Sequence, residues 1–147
     1  MNITRTLLAN IICGLAAVLI FVTLSVGAVS TKPRIQAGGQ PAVTLSTTHV
    51  QFGKNGLGQQ TQPQTIALTN SGTADLHIGF AGLKGSQIGE FGLTGNTCGT
   101  VVAPGATCDL MVVFAAGHTG HSACDLYIGD DAPDTPQKVL LTGYGIR

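Results

Sequence analysis

Charge is what this chain lacks most. Lys, Arg, Asp and Glu are 10% of its 147 residues, seven basic and seven acidic, so the formal net charge is zero. A globular chain normally carries about a quarter. So few charges exclude a disordered polyelectrolyte. With no basic excess there is nothing to neutralise a phosphate backbone, so nucleic acid is not an expected partner. The signatures of chemistry are missing too. There is no G-x-S-x-G, no phosphate loop of P-loop spacing and no pair of carboxylates set for acid–base work. No CxxC or CxxCH occurs, which removes the usual zinc spacing and covalent haem attachment. No catalytic residue, cofactor, metal or small-molecule substrate is therefore assigned, and the chain is not expected to be an enzyme. Tryptophan is absent, and no internal repeat or low-complexity tract appears.

What is present begins with an apolar run. The mean hydropathy of +0.34 is high for so small a protein. Much of it comes from residues 7–29, which contain no charged residue, His, Pro or Gln. As a helix these residues would span ~34 Å, enough for a hydrocarbon core of ~30 Å. Thirteen are Leu, Ile, Val or Phe, favouring insertion by roughly 4–8 kcal/mol before polar costs. The run is longer than a signal peptide requires, so an uncleaved anchor is expected behind a tail of residues 1–6. Val26-Gly27-Ala28 and Ala28-Val29-Ser30 keep cleavage open as the alternative. The segment offers no haem ligand and no ionisable relay group. Ala9, Cys13 and Ala17, with Gly14 beside them, form a ridge of small residues on which another helix can pack. Cys13 is not a lipoprotein acylation site, because Asn10 stands where a Leu-like residue is needed.

Residues 30–41 form a polar linker with two Pro and two Gly. Its reach is under ~40 Å, so the following domain, residues 42–147, is held near the bilayer. That domain shows alternation rather than helical periodicity. Strands are predicted at 43–52 (broken midway), 64–70, 75–80, 90–94, 107–115, 121–128 and 137–143. The inward sets are Ile66/Leu68, Leu76/Ile78/Phe80, Leu110/Val112/Phe114, Leu126/Ile128 and Val139/Leu141. About seven short strands predict an all-β, immunoglobulin-like antiparallel sandwich preceded by one transmembrane α-helix. Turns are expected at Asn70-Ser71-Gly72, with Gly72 free to take a positive φ, and at Pro104-Gly105. Gly143 and Gly145 predict close backbone packing in the last strand.

The segments IALTNSGTADLHI (66–78), EFGL (90–93), CGTVVAPGATCDLMVVF (98–114), GHSACDLYI (120–128) and VLLTGYG (139–145) resemble, in order and spacing, a bacterial ASH-type domain. That is the hydin-like, "choice-of-anchor D" group of immunoglobulin-fold modules. The resemblance covers about 43–145 and departs at Ala115-Ala116, where the family usually has a proline after the Phe. It implies a binding or scaffolding module rather than a catalyst.

Four cysteines are present. If 107–115 and 121–128 pair as a hairpin, Val112 faces Cys124 and Cys108 faces Ile128, too distant for a Cys108–Cys124 bridge. Cys98 and Cys108, which relatives of the resembled family often carry together, are the expected disulfide; free or metal-bound thiols are the alternative. Cys124 is expected to be a buried, inert thiol. His118 and His121 are close in sequence, and Asp130, Asp131 and Asp134 form an acidic loop. Both are expected to be solvated loop features, with a weak metal site as the alternative in each case.

A disulfide needs an oxidising compartment. It therefore orients the chain, with the amino terminus cytoplasmic and the domain periplasmic, in a bacterial inner membrane. The expected partners are the lipid bilayer and other membrane-protein subunits, as in an accessory subunit of a respiratory or photosynthetic assembly. A secreted or surface adhesive module, released by cleavage, is the alternative.

Overall fold

Alternation carries most of the architecture. The computed structural model describes residues 38–147. The tail, the 7–29 segment with Ala9, Cys13, Gly14 and Ala17, and residues 30–37 of the linker lie outside the described residues. No helix among the described residues is long and apolar enough to cross a membrane.

Nine strands appear in the order β1 (Val43–Leu45), β2 (His49–Gly56), β3 (Gln64–Asn70), β4 (Leu76–Lys84), β5 (Phe91–Asn96), β6 (Val101–Val102), β7 (Thr107–Phe114), β8 (Gly120–Asp130) and β9 (Gln137–Ile146). A 3-10 turn, Ile88–Glu90, precedes β5. The strands form two sheets, a four-stranded one ordered β1-β3-β7-β5 and a five-stranded one ordered β2-β9-β8-β4-β6. The arrangement is the expected immunoglobulin-like sandwich with two refinements. The run 43–52 is split between the sheets, β1 pairing with β3 and β2 with β9. The β2–β9 pair is parallel, whereas the other ladders are antiparallel. Such a pairing joins the two ends of the domain and leaves no local turn signal in the sequence.

Between the sheets the inward residues form one core. Ile66, Leu68, Leu76, Leu110, Val112, Phe114, Leu126, Ile128, Val139 and Leu141 are fully buried. Each such side chain contributes roughly 1.5–3 kcal/mol by leaving water. Phe114 of β7 stacks against Phe91 of β5 and Phe52 of β2, with ring centroids 4.9 and 5.9 Å away. The trio bridges both sheets. Opposite it, β9 passes so close that a Cβ at Gly143 would lie 2.4 Å from the Phe114 ring.

Two expectations need correcting. Phe80 does not point inward, being 58% exposed. A bulge between Ile78 and Phe80 shifts the register with β8, so Phe80 stands opposite Gly129. The inward parity moves to Ala81 and Leu83, which pack against the core. Nor do 107–115 and 121–128 form a hairpin. Residues 115–119 carry the chain across the sandwich, so that β7 pairs with β3 and β5 while β8 pairs with β4 and β9. Cys124 thus faces Leu141, and Cys108 faces Leu68.

The turn at Asn70 is built more tightly than its sequence suggests. Asn70 is fully buried, and its amide donates to the carbonyls of Ala74 and Val102 at 2.8 Å each. Its side-chain oxygen accepts from the Gly72 N–H at 3.0 Å. Gly72 is needed for close approach rather than for a positive φ, since a Cβ there would lie 2.3 Å from the Gln40 carbonyl oxygen. Gly105 does take the left-handed φ of a turn glycine, at 76°.

Candidate interaction face

The residues singled out in the sequence are distributed over the molecule rather than gathered at one place. Cys98 and Cys108 are bonded, tying the chain after β5 to β7 in the four-stranded sheet. Cys124 is buried and free; burial, with the charge of Asp125, pushes its thiol up to about 11. His118 and His121 separate. The His118 ring lies 2.6 Å from Glu90 Oε1, which also accepts from the Gly117 N–H at 2.9 Å. Burial alone would raise the Glu90 carboxyl, but the Ser122 hydroxyl, the Gly117 N–H and the His118 ring together hold it below its usual value. This contact braces the crossing from β7 to β8. His121 instead lines a shallow hollow with Lys54 and Tyr144.

The acidic loop is likewise engaged locally. Asp131 accepts from the His77 backbone N–H and faces its ring, both at 2.8 Å, and these contacts lower its carboxyl. Asp134 accepts from Gln137, and Asp130 accepts from the Ala132 N–H. Burial pushes the Asp130 carboxyl up. Among the described residues no three His, Cys, Asp or Glu side chains are grouped to hold a metal ion.

The surface that sequence reasoning did not assemble is the outer face of the five-stranded sheet. Because Leu126, Ile128, Val139 and Leu141 point inward, Tyr127, Lys138 and Leu140 point outward. Strand order then places Lys54 of β2 beside Tyr144 of β9. Lys138 of β9 faces Tyr127 of β8, and Gly82 of β4 flanks Tyr127 on the other side. All three lysines among the described residues, both tyrosines of the chain and the exposed Phe80 share this face. Lys84 and Lys138 hold their ammonium groups 5.7 and 5.8 Å from the Tyr127 ring centre. Lys138 also pairs with Asp125 at 3.0 Å, which raises its pKa. Two adjoining hollows of about 490 and 480 Å³ open here, sharing Phe80 and Pro136 in their walls.

The outer face of the four-stranded sheet is different in kind. Thr44, Thr65, Ala67, Thr69, Thr94, Thr107 and Met111 occupy it, with Asp109 as the carboxylate on its strands. Several of its hydroxyls are engaged locally: those of Thr69 and Thr107 are 2.7 Å apart, Thr44 donates to Ser71 at 3.1 Å and Thr94 donates to the Met111 carbonyl at 3.3 Å.

No protein-family model matches the chain, and no curated protein matches it. Solved structures do. The chain is similar over 78% of its length to a protein of unknown function from Porphyromonas gingivalis W83, with TM-score 0.61 and 17% identity, spanning 51% of that chain. Over 71% it is similar to the ASH/PapD-like domain (PapD-like domain 7) of human CEP192, with TM-score 0.52 and 15% identity, spanning 85% of that chain. Over 72% it is similar to the periplasmic chaperone SfaE, with TM-score 0.51 and 15% identity, spanning 59% of that chain. The chain thus spans only about half of the Porphyromonas protein. At such identities the likeness establishes a fold: the described residues form an immunoglobulin-like β-sandwich similar to that of PapD-like domains.

Proposed function

We propose that the chain is a single-pass membrane protein whose sandwich domain, outside the cytoplasm, binds or braces a protein partner. In this reading it is a non-catalytic accessory subunit of a larger membrane assembly. The observation that carries the proposal is the outer face of the five-stranded sheet, where Phe80 and Tyr144 are exposed beside Lys84, which makes no ion pair among the described residues. Tyr and Phe supply large contact area at low entropic cost, which suits a protein interface. Residues 7–29 supply the anchor, and the Cys98–Cys108 bond supports an oxidising compartment. Tethering by a short linker raises the effective concentration of a membrane-embedded neighbour, so modest contacts suffice. The PapD-like fold, seen in a chaperone, supports a protein-binding role.

The test is isolation of the tagged full chain from gently solubilised native membranes. Recovery with a stoichiometric protein partner is expected, and recovery only as a free monomer contradicts the proposal. The small residues at 26–30 favour one alternative, an adhesive module released by cleavage. An intact mass starting near residue 29–31 would establish that alternative.

A further inference from the structure

Resting on that partner-binding reading, we infer that the groove over β4 and β8 takes an extended segment of a partner protein. That segment carries an apolar side chain followed by a carboxylate. The groove is polarised along its length. Phe80, Tyr127 and Pro136 form its apolar walls. Gly82 leaves the space above the sheet open, with nothing within 4 Å of where a Cβ would stand. At one end Lys84 and Lys138 flank Tyr127. Lys84 makes no ion pair among the described residues, so its charge is available to a ligand. At the other end the Asp131 carboxylate is already held by His77, and Asp130 is partly buried. A guest therefore meets the ion-pair-free Lys84 beside the Lys138–Asp125 pair at one end, and the Asp130 and Asp131 carboxylates at the other.

This pattern selects the occupant. An anionic bilayer is flat and of one sign, so it fills neither hollow and is repelled at the Asp131 end. The described residues also carry seven acidic side chains against Lys54, Lys84, Lys138 and Arg147, which opposes attraction to such a surface. A second copy docking the same face with its groove parallel would set lysines against lysines, and docking with the grooves antiparallel would show as crosslinks to another copy in the test below. The chain's own linker, residues 30–41, contains no Asp or Glu and so cannot supply the carboxylate that the lysine end calls for. An extended polypeptide with an apolar anchor and one acidic end satisfies all three parts of the groove, and the polarity fixes its direction.

Site-specific photocrosslinking of the full chain in native membranes tests this, with p-benzoylphenylalanine in place of Phe80 and, separately, of Met111 on the opposite face. From position 80, one partner protein is expected, and the crosslinked peptide is expected to carry Asp or Glu within about four residues of the attached apolar residue. Lys84→Glu with Lys138→Glu should cut that yield about fivefold, while Asp109→Lys, a charge change on the four-stranded face, leaves it unchanged. Crosslinks only to lipid, only to another copy of this chain, or to a peptide without a carboxylate overturn the inference. So does a yield insensitive to the double reversal. Capture of a partner from position 111 and none from 80 overturns this groove but leaves partner binding standing; capture from neither overturns both.

Discussion

The two outer faces of the sandwich are made from opposite materials. The four-stranded face is rich in threonines with small residues between, several of its hydroxyls engaged locally, and Cys98–Cys108 ties the chain after β5 to β7. The five-stranded face gathers the lysines, both tyrosines and Phe80, while its cysteine, Cys124, stays free and buried. One face engages several of its polar groups internally; the other leaves Phe80 exposed and Lys84 without an ion pair among the described residues. The difference teaches where a partner gains free energy. Polar groups already paired offer little on binding, whereas open aromatic surface and an unpaired cation offer area and direction together.

The sharpest way to separate the two sides of the five-stranded sheet uses two glycines. A Cβ at Gly143 collides with the buried Phe114 ring, and a Cβ at Gly129 collides with the exposed Phe80 ring at 2.2 Å. Gly143→Ala is expected to cost about 3 kcal/mol in urea unfolding, because the core ring has nowhere to go. Gly129→Ala should cost less than about 1 kcal/mol, since Phe80 can swing into solvent, yet it should weaken partner capture by displacing that ring. Equal costs would break the distinction between the sides. Next in size is the staple: Cys98→Ser with Cys108→Ser should lower stability by about 2.5–3 kcal/mol, as loop closure in the unfolded chain is lost. Thermal unfolding with and without reductant measures it. Acid acts more mildly. The folded Glu90 carboxyl lies below its ordinary 4.5. Its contribution is therefore complete above pH 4.5 and drains away as pH falls through the lower folded value. Glu90→Gln should flatten stability against pH in that acid window, and an unchanged profile would remove the brace from the account. Smallest of all, Lys84→Glu with Lys138→Glu should leave the urea midpoint nearly unchanged, since both side chains are exposed. Cys124, with its thiol near 11, should resist iodoacetamide at neutral pH in the folded domain and react once in urea.

How much of this was legible in the sequence follows from the range of each signal. Alternation is local, so Ile66/Leu68, Leu110/Val112/Phe114, Leu126/Ile128 and Val139/Leu141 were placed correctly inward. Phe80 was misplaced because a single extra residue at the bulge inverts every later parity, and no residue type announces it. The crossing at 115–119 looks like a hairpin loop by length. It is a sheet change because Glu90, far away in sequence, ties down Gly117 and His118. The disulfide pair was read correctly although the hairpin used to exclude Cys108–Cys124 does not exist. The lysine-rich face was least legible. Each lysine's outward direction is local, but their gathering depends on the order β2-β9-β8-β4, which joins the two ends of the domain.

The central claim is that the five-stranded face, and not the threonine face, meets the partner. Hydroxyl-radical footprinting of the full chain reads it directly, comparing native membranes with the chain purified away from its partner. Oxidation of Phe80 and Tyr127 is expected to fall in the native membrane while Met111 is oxidised equally in both. Protection of Met111 with Phe80 and Tyr127 unchanged would contradict the account.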